Sequence, residues 1–290
     1  MKGHRRSLGQ LFVPICLETL FYMLAGMVDT LMLASVSDEA VGAVGTANTY
    51  IGIFIIMFSV ISTGVMAVMT QNIGAGKDGI AYQARQIGVI FNTALGVLLG
   101  ILLATCSGGI LHVISISEAL YTPANTYLQI VGGFCIFNAL IPIFSGYLRA
   151  FGHTKQSLFA TVVANLLNFL LNAIFLFVFH WGVMGVAAAT VISKVLNLII
   201  VIIQAELLVH AKQDKNRISN KTVLKQIIQI GLPSAMETAL YNVAMTLVIR
   251  FLNQMDAEGL NVTARSYTAQ ITNFSFCIGA ALAQANAIMT

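Results

Sequence analysis

Charge is what this chain has least of. Its 290 residues include 15 Lys and Arg and 11 Asp and Glu, so only 9% are charged while 58% are hydrophobic. A soluble domain carries about a quarter charged residues, so this composition cannot clothe a water-facing surface and excludes an ordinary soluble globular protein. Cysteine chemistry is also missing. Cys16, Cys106, Cys135 and Cys277 all lie in apolar segments, none forms a CxxC, and they read as packed free thiols. The five histidines are scattered near segment ends without metal-ligand spacing. No metal-cluster or thiol-enzyme signature is present. A removable leader is not expected, because the first apolar segment carries Glu18 and Asp29 and no small-residue cleavage site follows a short apolar core.

What is there is long apolar sequence. Residues Gln86 to Ser117 and Gln156 to Ser193 contain no Asp, Glu, Lys or Arg, and roughly 20 apolar residues suffice to span a bilayer as a helix. Eight spans are expected, over residues 11–34, 44–70, 85–111, 124–148, 157–180, 183–208, 224–252 and 263–290. Loop charge alternates. Lys2, Arg5 and Arg6 are followed by Asp38 and Glu39, then Lys77 and Arg85, Glu118, Arg149 and Lys155, an uncharged loop, the basic run Lys212 to Lys225, and Asp256 and Glu258. Basic loops mark the cytoplasmic side, which predicts a multi-pass protein of the cytoplasmic (inner) membrane with its N-terminus in the cytoplasm. The polar stretch 209–223 reads as a basic linker between a lobe over 1–208 and a segment over 224–290. It does not read as a nucleic-acid patch, and no nucleic-acid partner is expected.

The segment after the linker echoes the first span. Gln10, Pro14, Glu18, Thr19 and Tyr22 return as Gln229, Pro233, Glu237, Thr238 and Tyr241, all at an offset of 219 residues. Both copies begin on the same side, so the repeat is parallel and implies two bundles related by an axis along the membrane normal. Met69-Thr70 recurs as Met289-Thr290. The expected fold is therefore an all-α, polytopic helical bundle: a complete six-helix N-lobe and the first two helices of a pseudo-symmetric C-lobe, with about four further spans to be expected in a whole protein.

Ionisable groups inside spans are costly and commonly functional. Glu18, Asp29, Lys194 and Glu237 are the candidates, while Glu206 near a cytoplasmic end reads as solvated. Glu18 and Asp29 fall within about 20° of one helical face, roughly 16 Å apart along the axis, with Tyr22 close to their stripe. Asn168 and Asn172, four residues apart, share a face of the fifth span, and Thr190 lies near the outer end of the sixth. Alone, Asn168, Asn172 and Thr190 read as interhelical hydrogen-bonding glue. With Asp29 they make an oxygen-rich set that suits a hard cation, or the carboxylate takes up a proton instead. No metal is expected beyond Na⁺ at Asp29. Lys194 either pairs with an acid or snorkels. Gly74-Ala75-Gly76-Lys77-Asp78-Gly79 matches G-x-G-x-x-G formally, but it follows a membrane helix and no strand, so a helix C-terminal turn is expected. Gly96 and Gly100 form a G-x-x-x-G expected to pack helices.

Pro14 to Ala34 with Val28-Asp29-Thr30, Gln71 to Gly76, Leu148 to Lys155, Gly185 to Ser193, and Gly231-Leu232-Pro233 through Glu237 together resemble the multidrug and toxic compound extrusion (MATE) family. The resemblance implies a two-lobed, twelve-helix antiporter, monomeric and with no cofactor, that exports organic cations or amphipathic compounds in exchange for Na⁺ or H⁺. It places the cation- or proton-binding carboxylate at Asp29, with Asn168, Asn172 and Thr190 as partner ligands. Some relatives have an acid where Asn172 stands, so the coupling ion stays open. It implies substrate or cation contacts at Glu237, Glu18, Tyr22, Tyr241, Met27 and Met23. The alternatives are a lipid-linked oligosaccharide flippase of the same superfamily, which should carry more basic residues in its cavity, a membrane-embedded enzyme, for which no nucleophile is visible, or a channel.

Overall fold

The computed structural model describes residues 8–35, 37–113, 118–209, 218–255 and 277–288. Among these every regular element is helical, as an apolar medium requires of a backbone that must satisfy its own polar groups. The helices are α1 (Leu8–Ala34), α2 (Asp38–Gly74), α3 (Asp78–Val113), α4 (Glu118–Tyr127), α5 (Ile136–Ala150), α6 (Thr154–Ala173), α7 (Gly182–Leu208), α8 (Asn220–Met255) and α9 (Cys277–Ile288).

Five of them (α1, α2, α3, α6 with its terminal turn, and α7) are long and apolar enough to cross a membrane, and α4 with α5 makes a sixth. That accounts for the first six expected spans. The expected seventh, α8, has the length but is not among the helices apolar enough to qualify, with Glu237, Asn242 and Asn253 in its course. Most of the expected eighth lies outside the described residues, of which α9 is a part. The fourth span is not one straight helix. A π-helical turn at Leu128–Gly132 follows α4, and the two halves meet at 44°. The bend sits where α3 comes closest. A methyl on Gly96 would lie 2.9 Å from the Ile136 Cα, and one on Gly100 would meet the Gly133 carbonyl. The expected G-x-x-x-G packing is therefore present, and it holds α3 against the break.

The turns follow from glycine and capping. After α2, Gly76 takes a left-handed φ of 72° and Lys77 N–H reaches back to the Asn72 carbonyl at 2.7 Å. After α5, Gly152 at φ 78° lets His153 N–H reach Leu148 O at 2.7 Å. Both are helix C-terminal turns closed by a positive-φ residue, which settles the Gly-Ala-Gly motif in favour of a turn. Ser37 caps α2 by accepting from Ala40 N–H at 3.3 Å. Two packed cores stack along the bundle. One centres on Ala47, Phe58, Leu103, Tyr127 and Val186, the other on Val65, Met69, Ala84, Tyr147 and Val201. The second also takes in Val223 and Ile227, so α8 joins it against α2. There the two backbones cross at Gly64 and Gly231, with no room for a side chain on either. A third small cluster joins Leu11 and Ile15 of α1 to Ala281 and Ala285 of α9. Large apolar side chains such as Leu98, Leu166, Phe177 and Ile203 point outward, as a lipid-facing surface allows.

Candidate functional site

The site is built on the seam between α1 and α6. Ser157, Thr161, Asn165, Asn168 and Asn172 recur at intervals of three and four residues, which keeps them on one face of α6. α1 meets that face with its own polar groups. Asn165 Nδ2 donates to the Phe21 carbonyl at 3.1 Å in the middle of the seam.

At one end, Glu18 is buried, only 8% exposed. Its Oε1 accepts from Ser157 Oγ at 2.8 Å and from Thr161 Oγ1 at 3.4 Å, and its Oε2 faces Arg149 Nη1 at 3.4 Å. The carboxylate thus has three partners, all from the α5–α6 hairpin. At the other end, Asn172 Nδ2 donates to Asp29 Oδ1 at 2.6 Å and to Asn168 Oδ1 at 3.3 Å. Asn172 is fully buried, and its own Oδ1 has no hydrogen-bond partner among the described residues. Acceptors outnumber donors here. An orphaned buried acceptor is costly, and a bound cation or a protonated carboxyl would satisfy it.

α7 completes the surroundings. Thr190 Oγ1 donates to Val186 O of its own helix at 2.8 Å, and the buried Tyr127 hydroxyl lies within interaction range of Thr190, Asn48 and Asp29. Thr190 therefore stands beside the Asp29 cluster through Tyr127, without a bond to Asp29. Lys194, one turn along α7, lies within electrostatic range of Asp29 but makes no ion pair among the described residues. Tyr22 and Met27 are on α1 and exposed, Tyr22 within electrostatic range of Tyr127.

The stripe expected on α1 thus exists, but its two acids serve different clusters. Asp29, Asn168 and Asn172 come together as expected, Thr190 is adjacent, and Glu18 sits in a separate nest. Glu237 and Tyr241 are exposed on α8, and Glu237 makes no ion pair among the described residues. Ser157, Thr161, Asn48 and Tyr127 are additions from the structure. The three-four recurrence of polar residues through α6 carries the first two in the sequence; nothing in the sequence pairs Asn48 with Tyr127. Glu206 is exposed, as expected of a solvated residue, and it also pairs with Arg85 at 2.8 Å.

Known proteins agree with this architecture. The uncharacterized transporter YisQ of Bacillus subtilis is 34% identical over 289 residues, covering 98% of this chain and 63% of the relative. The probable multidrug resistance protein NorM of Thermotoga maritima is 25% identical over 279 residues, 91% of this chain and 59% of its own. The chain thus spans about three fifths of the length of these curated relatives. An outward-facing multidrug-resistance MATE transporter superposes with a TM-score of 0.86 at 20% identity, over 97% of this chain and 63% of that one, and shares the fold. The MatE family model matches residues 14–174, from the proline of α1 to the first residue of the π turn that ends α6. With more than half of its length matched, the chain belongs to the MatE family.

Proposed function

We propose that this chain is the larger part of a secondary antiporter of the cytoplasmic membrane, its N-terminus in the cytoplasm, that exports organic cations or other amphipathic compounds by alternating access. Residues 1–208 form its first lobe, 209–223 a basic linker and 224–290 the start of a second lobe. The protein works as a monomer and needs no cofactor beyond the coupling ion, Na⁺ or H⁺. The observation that carries this reading is the half-buried Asp29 carboxylate against the buried Asn172, whose Oδ1 lacks a partner among the described residues. Such a cluster is short of one cation or one proton. Taking either one changes the balance of charge between α1, α6 and α7, and it shifts a conformational equilibrium only by its differential affinity for the two states. The name of one relative, a transporter, supports transport, and that of another, a probable multidrug resistance protein, supports export.

Glu237, Tyr241, Tyr22 and Met27 are assigned to substrate in this reading, since all are exposed on α1 and α8. An exposed Met and an aromatic surface tolerate varied ligands. The flippase reading is weaker, because a pyrophosphate carrier needs several free cationic side chains inside the lobe, whereas Arg149 and Arg85 are committed to Glu18 and Glu206 and only Lys194 is left deep in a span.

The test is efflux of a fluorescent organic cation from cells carrying the intact gene, wild type beside Asp29→Asn. Export driven by an imposed sodium or proton gradient should fall to background in the variant while the protein still reaches the membrane. Undiminished gradient-driven export would sink the role given to Asp29. Imposing each gradient separately on wild type assigns the ion.

A further inference from the structure

At the bundle end where α3 and α8 begin and α7 ends, the structure holds a cavity of about 400 Å³ that involves none of the groups of the Asp29 and Glu18 clusters. A second hollow of about 200 Å³ shares Ile87, Ile90 and Asn220 with it and adds Phe91, Lys221 and Leu224, so the two form one groove between α3 and α8. Its character changes along its length. Arg85, Gln86, Glu206 and Asn220 line the polar part. The charge-free run of α3 begins at Gln86, and Ile90 and Phe91, 66% and 43% exposed, form the apolar part. A polar floor that gives way to an outward-facing apolar wall, where a membrane span begins, matches the head and upper chain of one lipid.

The polar part carries more detail. Arg85 is held rigidly, by Glu206 at 2.8 Å and over the rings of Tyr147 at 4.5 Å and Tyr82 at 4.7 Å, so this pair is internally neutral. The charge left to a ligand is that of Lys221, which lines the second hollow, and of Lys225 one turn further along α8, both exposed and with no ion pair among the described residues. Basic residues at a membrane boundary attract anionic lipid. Gln83 is 5% exposed and lines the cavity. Its Nε2 donates to Ile218 O at 2.8 Å and to Asn220 Oδ1, which tethers the start of α8 to α3. Its Oε1 is buried without a partner among the described residues and calls for a donor, which a hydroxylated headgroup supplies and a bare phosphate diester does not.

We infer that the α3–α8 groove is a binding site for one anionic phospholipid with a hydroxylated headgroup, of the phosphatidylglycerol type. Its phosphate meets Lys221 and Lys225, its headgroup hydroxyl meets Gln83 Oε1, and its acyl chain lies on Ile90 and Phe91. The lipid then bridges the first six-helix bundle to the helix that follows the linker.

The sequence has a single tryptophan, Trp181, at the opposite end of the bundle, which makes a site-specific reporter simple. In a protein carrying Phe91→Trp, with Trp181 and every tryptophan beyond these 290 residues changed to Phe, reconstituted into vesicles, lipids brominated on the acyl chain quench only what they touch. Brominated phosphatidylglycerol should quench the introduced indole severalfold better than brominated phosphatidylcholine at equal mole fraction. Brominated phosphatidylmethanol, which has the same charge and no headgroup hydroxyl, should fall between them. Lys221→Gln with Lys225→Gln, both surface changes, should remove the preference, and Trp181 in the wild-type protein should show none. Equal quenching of the groove indole by phosphatidylglycerol and phosphatidylcholine, or a preference that survives the double lysine change, overturns the site. Equal quenching by phosphatidylmethanol and phosphatidylglycerol overturns the headgroup assignment. Native mass spectrometry of the unmodified protein gives an independent ordering of the same lipids, and retention of phosphatidylcholine equal to that of phosphatidylglycerol would again refute the site.

Discussion

Glu18 and Asp29 stand 11 residues apart on one face of one helix, yet they do opposite things. Glu18 is saturated by Ser157, Thr161 and Arg149, whereas Asp29 has one strong donor and an unpaired acceptor beside it. A saturated buried carboxylate clamps; an unsaturated one can exchange an ion. Removing one partner of a buried pair commonly costs about 3–5 kcal/mol, since the other charge is stranded, and the 3.4 Å separation from Arg149 places this pair at the low end. Glu18→Ala should therefore lower the apparent melting temperature of the detergent-solubilised protein markedly. Glu18→Gln, which still accepts from Ser157, should lower it less, and Glu18→Ala with Arg149→Met should recover most of the loss. A Glu18→Ala protein that melts like wild type would remove the clamp. The common face of the two acids is legible from helical spacing alone. Their division is not, because it is decided by residues more than 130 positions away in sequence.

At the scale of the helix, close approach decides which glycines matter. Gly52 and Gly64 both lie on α2. A methyl at Gly52 meets nothing, whereas one at Gly64 would run into the Ile227 carbonyl of α8. Gly52→Ala should be neutral or stabilising, by up to about 1 kcal/mol from helix propensity. Gly64→Ala should destabilise by about 1–3 kcal/mol or more, since two backbones must separate to admit the methyl. Melting of the two variants side by side checks this, and equal effects would mean that the α2–α8 crossing is looser than described. The first six spans and the turns at Gly76 and Gly152 can be read from hydropathy and glycine position. The break in the fourth span cannot. Leu128 to Ile136 is apolar except for Gln129, and a hydropathy pattern does not register whether an apolar backbone is straight. Helices outrun the apolar spans for a related reason. α2 has 37 residues, about 55 Å at 1.5 Å per residue, so polar residues such as those after Ser37 are helical outside the apolar run.

For the molecule as a whole, the 219-residue repeat has a spatial counterpart. The repeat equates α1 with α8 and α2 with α9, and α8 packs on α2 while α1 packs on α9. The two seams exchange when the copies exchange, as an axis along the membrane normal requires. The sequence announces the repeat through Pro14 and Pro233 with their following Glu-Thr pairs, but it does not say which helices face each other, because alanines such as Ala281 and Ala285 carry no pairing signal of their own. The α1–α9 seam offers a direct probe. Cys277 Sγ lies 3.7 Å from the Cys16 carbonyl and interacts with the Cys16 thiol. With Cys106, Cys135 and every cysteine beyond these 290 residues changed to Ser, a short bifunctional thiol reagent should link Cys16 to Cys277 efficiently in the membrane-embedded protein. If export works by rocking one lobe against the other, this seam must open in one state. Transported substrate should then change the rate of linking severalfold, and linked protein should bind substrate without exporting it. A rate of linking indifferent to substrate and to the ion gradient, or full export by linked protein, would show that α1 and α9 move as one body and that the transport motion lies elsewhere.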